Sequence, residues 1–253
     1  MNVFCFDFDG VVCDSAPETG FSAWKGCRAL WPGIGADWSQ ALQERFCRLR
    51  PVMQTGFEAI PLMRLILDGE VSDDRLFAEF PALRDGLVAR EGLSTKRLQE
   101  VFGAMRDAMI AEDEAAWLCW NRFYPGLREI LLAAIARHAL FIITTKQERF
   151  VMLLCRDNGI ELPAERVFGL EQGLSKPEVL KALRARPEWN GAAFHFIEDR
   201  LETLVDVIGE PALAAVKLYL ADWGYNTPAQ RKEAAEISRI RVVSPEALRQ
   251  AIA

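Results

Sequence analysis

Residues 3–15 read VFCFDFDGVVCDS. An apolar and aromatic run of this kind predicts a buried strand over residues 2–8, which stops at Asp9 and Gly10 as the chain enters a loop. Alternation along a strand puts residues i and i+2 on one face, so Asp7 and Asp9 point the same way and repel. Such a pair is kept only where something rewards the crowding.

Outward from that strand the pattern changes twice. Residues 16–120 carry helical periodicity in FSAWKGCRAL, SQALQERFCRLR, GFEAIPLMRLIL, DRLFAEFPALRDGLVAR and STKRLQEVFGAMRDAMIAEDEAAWLCW, punctuated by WPG, Pro51, Pro61 and Gly92. After Tyr124-Pro125-Gly126, helices at 126–137, 147–158, 177–185, 200–208 and 228–236 alternate with apolar strands at 139–144, 166–169, 193–198, 213–220 and 239–243. This alternation predicts a parallel sheet with helices on its faces. The expected architecture is an α/β, Rossmann-like core formed by residues 1–15 and 124–253, with an all-helical domain of residues 16–123 inserted. There is no internal repeat and no low-complexity segment.

Composition narrows the class. The 253 residues are 51% hydrophobic and 26% charged, with 17 Gly and 12 Pro, an ordinary globular balance. No apolar stretch approaches the roughly 20 residues of a membrane span. The N-terminus meets an acid at Asp7 and lacks the basic region of a secretory signal, so a cytoplasmic location is the expectation. Six cysteines are scattered without a CxxC pair, which favours reduced thiols over disulfides or a zinc site. With 30 basic and 36 acidic side chains the formal charge is −6, and no long basic block is present. Neither nucleic acid nor membrane is expected as a partner.

In open α/β sheets ligands bind beyond the carboxyl ends of the strands, so polar residues there carry the first functional weight. The first strand ends in Asp7 and Asp9, FIITTK in Thr144, Thr145 and Lys146, and FHFIEDR in Glu198 and Asp199. Lys176 precedes Pro177 at a helix start. A hard divalent cation resolves the repulsion, because Mg²⁺ takes a few carboxylates together with water and phosphate oxygens. Asp7, Glu198 and Asp199 are the expected metal set. Asp7 is then placed to attack phosphorus, and Asp9 to protonate the leaving oxygen and later deprotonate water. Thr144, Thr145 and Lys176 are expected to bind the transferred phosphoryl group.

In order along the chain, DFDGVVCDS, TTK, SKPE and IEDR resemble the four motifs of haloacid dehalogenase-like hydrolases, in the phosphatase branch with a helical cap between the first two motifs. Trp223-Gly224-Tyr225-Asn226 resembles a late WGY segment of that branch. The resemblance covers nearly the whole chain. It implies that Asp7 is nucleophile and metal ligand, that Asp9 is the acid/base and binds the metal through its carbonyl, and that Thr144, Lys176, Glu198 and Asp199 fill the later motifs. Asp14 and Ser15 match the residues after the flap that follows the first strand. Dehalogenating members lack an acid at the Asp9 position, so its presence points to phosphoryl transfer. The fourth motif departs from the common Gly-Asp form, with Glu202 and Thr203 near the place of a later Asp.

The remaining polar candidates read as structural. His138 at a helix end and His195 within a strand have no ligand-like neighbours, and Trp24, Trp31, Trp38, Trp117 and Trp120 fit packing in the inserted domain. Among Arg45, Arg48 and Arg50, the last is the best candidate to grip a second anionic group of a substrate. The resulting expectation is a Mg²⁺-dependent phosphatase of the phosphoglycolate phosphatase type, a monomer or homodimer, acting on a small phosphorylated metabolite through an aspartyl-phosphate. The inserted domain would close over that substrate. The alternatives are a phosphomutase of the β-phosphoglucomutase type, or a non-catalytic binding protein that kept the fold.

Overall fold

In the computed structural model, which describes residues 1–35 and 37–252, the chain opens with β1 (Asn2–Phe6) and the two-residue β2 (Cys13–Asp14). Five helices follow: α1 (Ala16–Leu30), α2 (Gln40–Leu49), α3 (Ala59–Asp68), α4 (Asp73–Arg90) and α5 (Thr95–Cys119). After β3 (Arg122–Phe123), helix and strand alternate as α6 (Leu127–Arg137), β4 (Ala139–Ile143), α7 (Glu148–Asp157), β5 (Val167–Phe168), α8 (Lys176–Arg184) and β6 (Ala193–Glu198). The chain finishes with α9 (Leu201–Ile208), β7 (Lys217–Ala221), α10 (Pro228–Glu236), β8 (Ile240–Val243) and α11 (Pro245–Ile252). It divides into two units, Met1–Asp14 with Phe123–Ala253, and Ser15–Arg122.

The first unit is built on a six-stranded sheet of order β5-β4-β1-β6-β7-β8, a Rossmann-like α/β arrangement. Its paired strands are parallel, so β1, β4 and β6 all end at the same edge. The chain builds outward from β1 to β4 and β5, then returns to the other side of β1 with β6. That reversal makes the end of β1 the topological switch point, where open α/β sheets form their ligand crevice. Val3 and Cys5 pack with Phe141, Phe196, Leu180 and Leu204 on one face. Phe4 and Phe6 point to the other face and are fully buried as well, which explains the unbroken apolar reading of this strand.

Several boundaries differ from the sequence expectation. The β1 ladder stops at Phe6, so Asp7 and Asp9 lie beyond the paired strand and are not carried on one of its faces. In the stretch 213–220, Leu213 is buried at the end of a 3₁₀ turn and Val216 in the turn segment that follows it, and the strand begins only at Lys217. Helix α11 was not expected; its Leu248 and Ile252 complete an apolar stripe. Pro61 does not break α3 but lies in its first turn, where no intrahelical N–H is required of it.

His195, in β6, is stacked between Phe4, at 4.4 Å between ring centres, and Tyr219, at 5.8 Å. Its Nδ1 lies 3.0 Å from the Tyr219 hydroxyl, and its Nε2 has no hydrogen-bond partner among the described residues. Burial, helped by Lys217 and His138, lowers its pKa to about 4. The folded chain thus binds fewer protons here than the unfolded chain between pH ~6.5 and ~4, so stability is present above that window and falls as the pH drops through it. The expected loss is about 2 kcal/mol. With only two histidines in the chain, an NMR titration reads this directly. An imidazole that protonates near pH 6.5 in the folded protein would contradict it.

The second unit is a helical cluster in which α1 packs on α2, α3 and α5. Its core holds Cys27, Phe46, Ile60, Met63, Leu98 and Phe102. A buried polar network crosses it. Glu18 accepts from Arg106 Nε at 2.9 Å and Nη2 at 2.6 Å, from the Ser22 hydroxyl at 2.6 Å and from the Trp117 indole at 3.2 Å. Helix α5 breaks at Asp113, whose carboxylate accepts from the Ala116 N–H at 2.9 Å and so caps the segment beyond the break. Trp24, Trp38 and Trp120 gather around Phe21, with ring centres 5.0–5.6 Å from it. None of the six cysteines is in a disulfide, and Cys5, Cys13, Cys27 and Cys155 are buried. No helix among the described residues is long and apolar enough to cross a membrane.

Candidate active site

The carboxyl edge of the sheet gathers polar residues from four chain segments. Asp7 follows β1 directly, and its N–H still donates to the Ile197 carbonyl at 2.9 Å, holding its backbone in line with β6. The chain then turns tightly. The Val12 and Cys13 N–H groups both donate to the Phe8 carbonyl at 2.9 Å, and Gly10 adopts φ +88°. A Cβ on Gly10 would stand 2.1 Å from Asp199 Oδ2, so the turn passes against that carboxylate as only glycine can.

Lys176 is the first residue of α8, whose start is fixed by a capping box. The Glu178 carboxylate accepts from the Ser175 N–H at 2.7 Å, and the Ser175 hydroxyl accepts from the Glu178 N–H. From there Lys176 Nζ reaches Asp7 Oδ2 at 2.9 Å and Glu198 Oε2 at 2.6 Å. The other Glu198 oxygen accepts from the N–H groups of Asp199 and Arg200, at 3.1 and 3.0 Å. Asp199 is held by the Tyr225 N–H, 2.7 Å from Oδ2, while the Asn226 amide donates to its carbonyl at 2.9 Å.

Asp7, Glu198 and Asp199 are all buried, and each offers an oxygen within 4.8 Å of the others. Burial first, then the neighbouring Glu198 charge, pushes Asp7 up to about 7 against the opposing pull of Lys176. Glu198 is likewise pushed up to about 7, chiefly by burial, with Lys176 opposing and Asp199 adding to the rise. For Lys176, burial works against the ammonium, but Asp7 and Glu198 outweigh it and raise its pKa. Three carboxylates facing one ammonium leave an excess that one divalent cation cancels. The donors are hard oxygens of the kind Mg²⁺ takes, so the residues present fit that ion.

Thr144 is buried just past β4, and its N–H donates to the Phe168 carbonyl at 2.9 Å. Its Oγ1 accepts from the Lys146 N–H at 3.2 Å. Thr145 is half-buried in the same turn. Arg50 is buried in the helical unit, where its Nη1 donates to the Met53 carbonyl at 3.3 Å. Glu202 lies outside the acidic cluster: it is exposed, accepts from the Gln230 amide at 2.8 Å and pairs with Arg200 at 3.3 Å.

Three residues at this edge were named in the sequence without being given a role. Lys146 places Nζ 3.0 Å from Asp9 Oδ1. Gly224 passes so close to Asp199 that a Cβ would stand 2.3 Å from the Asp199 Cβ and 2.5 Å from the Gly10 carbonyl. Tyr225 donates its hydroxyl to Asp14 at 2.9 Å while its N–H holds Asp199. The WGY segment contained the last two, but nothing in its letters pointed to Asp199.

No family model matches the chain. No curated protein matches it either. Solved structures do. A protein provisionally described as a phosphoglycolate phosphatase, from Lactobacillus delbrueckii subsp. bulgaricus, superimposes with a TM-score of 0.61 at 13% identity, covering 99% of this chain and 97% of that one. A haloacid dehalogenase-like family hydrolase from Streptococcus pneumoniae gives 0.57 at 13% identity, over 100% and 99% of the two chains. A predicted phosphatase from Clostridium acetobutylicum gives 0.58 at 15% identity, over 99% and 97%. The chain shares the fold of these three proteins along essentially its whole length.

Proposed function

We propose that this chain is a Mg²⁺-dependent phosphatase that hydrolyses a small phosphorylated metabolite through an aspartyl-phosphate on Asp7, in the manner of a phosphoglycolate phosphatase. The observation that carries the reading is the cluster of buried Asp7, Glu198 and Asp199 around the Lys176 ammonium at the sheet's switch point, with Asp9 two residues beyond the nucleophile. The fold shared with proteins described as phosphatases supports it.

Each side chain has a task in this reading. Lys176 fixes Asp7 Oδ2 and turns the carboxylate toward the incoming phosphorus. Asp7 forms the new O–P bond as the bond to the leaving oxygen breaks, and Asp9 gives its proton to that oxygen. Asp9 then takes a proton from water, which attacks the same phosphorus and frees Asp7. Thr144 and Thr145, past β4, supply hydrogen bonds to the phosphoryl oxygens, and the Lys176 ammonium offsets their charge. Bound among Asp7, Glu198 and Asp199, Mg²⁺ supplies the positive charge that lets an anionic carboxylate approach an anionic phosphate.

A panel of phosphorylated metabolites, assayed for phosphate release with Mg²⁺ and with chelator, tests this reading. Release from at least one metabolite, abolished by chelation, is the expected result. Silence across the panel, together with no heat of Mg²⁺ binding, would overturn it. The Glu198–Asp199 pair also suits a mutase, so the same reactions are scored for isomerised sugar phosphate.

A further inference from the structure

Lys146 is a buried ammonium with a specific address. Its side chain has no exposed surface, yet Nζ lies 3.0 and 3.4 Å from the two oxygens of Asp9, 137 residues away in sequence. Its backbone is anchored on both sides. The N–H donates to Thr144 Oγ1 at 3.2 Å, and the carbonyl accepts from the Leu170 N–H at 3.1 Å. Gly169 packs against that carbonyl so closely that a Cβ there would come within 2.7 Å of it. The lysine is therefore delivered from a fixed point between β4 and β5.

Burying a lysine and ordering its long chain opposes folding, and an apolar side chain of similar volume usually serves stability as well as a buried pair does. What an apolar residue cannot do is fix the direction of a carboxylate. We propose that Lys146 is a positioning residue for Asp9, holding that carboxyl group where it can reach the leaving oxygen. The inference rests on the phosphatase reading and gives a role within it to the last residue of TTK, to which the resemblance assigned none. Misplacing an acid by about 1 Å is enough to lose a factor of about 10².

The signature is dependence on the leaving group. When the O–P bond of an alkyl phosphate breaks, the departing alkoxide needs the Asp9 proton, whereas nitrophenolate departs without one. The kcat/KM value ends with formation of the aspartyl-phosphate, so it reports this step and not the later attack of water.

The test compares wild type, Lys146→Met, Lys146→Gln, Asp9→Asn and the Lys146→Met/Asp9→Asn double variant on an alkyl phosphate and on p-nitrophenyl phosphate, with Mg²⁺ present. Lys146→Met is expected to lower kcat/KM about 10²-fold for the alkyl ester and less than about 5-fold for the nitrophenyl ester. Adding it to Asp9→Asn is expected to produce no further loss on the alkyl ester. Lys146→Gln, which keeps length and a donor, should fall between wild type and Lys146→Met, and it serves as the main variant if Lys146→Met does not fold. Equal losses on both esters, no loss on either, or full additivity with Asp9→Asn would overturn the positioning role while leaving the phosphatase reading intact. A wild-type protein inactive on both esters would overturn both.

Discussion

Asp7→Asn is expected to lower Mg²⁺-dependent phosphate release by at least about 10³-fold, because an amide cannot form the acyl phosphate and loss of a nucleophile removes the pathway. The same variant should fold. Burial, reinforced by Glu198, pushes the Asp7 carboxyl from 3.8 up to about 7, so the folded, metal-free chain binds more protons here than the unfolded chain in that interval. Its stability therefore declines as the pH rises from ~4 to ~7, and the Asn variant lacks that decline. In chelator at pH 7.5 the variant should melt no lower than wild type, and added Mg²⁺ should raise its melting temperature less. Full activity in the variant would remove Asp7 from the mechanism.

Gly224→Ala should damage the site without replacing a charged residue. The new methyl would sit 2.3 Å from Asp199 Cβ and 2.5 Å from the Gly10 carbonyl, between two segments that cannot both move away. The expected cost is about 3 kcal/mol of stability, the upper range for overpacking. Asp199 would be displaced from Glu198 and Asp7, so Mg²⁺ affinity measured by calorimetry should fall at least about 10-fold. Gly86→Ala is the control, since a Cβ there meets nothing within 4 Å. In that helix it should be neutral or slightly stabilising. A Gly224→Ala protein with unchanged melting and unchanged Mg²⁺ binding would refute the account of how Asp199 is held.

Much of this was legible in the sequence, and the parts that were not share a cause. The alternation after Tyr124 predicted a parallel sheet because strands covered on both faces read as near-continuous apolar runs, as ALFII does and AFHFIE does apart from His195 and its terminal Glu198. Asp7, Thr144, Lys176, Glu198 and Asp199 stood out because each follows or precedes such an element. Lys146 stood in the same strand-end group but without a role, since its partner is 137 residues away and a lysine in a turn ordinarily faces water. Tyr225 holds Asp199 through its N–H, a group nearly every residue has, so no letter in the sequence marks it. Leu213 and Val216 looked like strand because burial selects apolar residues whether the backbone is extended or turned. Nor does any local pattern report the order β5-β4-β1-β6-β7-β8, which is a property of pairing between distant segments.

The position of β1 in that order also bears on how the protein is made. Its five residues leave the ribosome well before the strands that flank it, β4 and β6, which begin only at Ala139 and Ala193. That segment must therefore wait, apolar and unpaired, while the residues up to Ala139 are synthesised. Residues Ser15–Arg122 face no such delay, because their unit is continuous in sequence and helical, the kind of structure that closes through local contacts. Translation thus favours a nascent chain with a finished helical unit and an unpaired strand ahead of it. The edge bearing Asp7 comes into being only when β6 arrives to complete it.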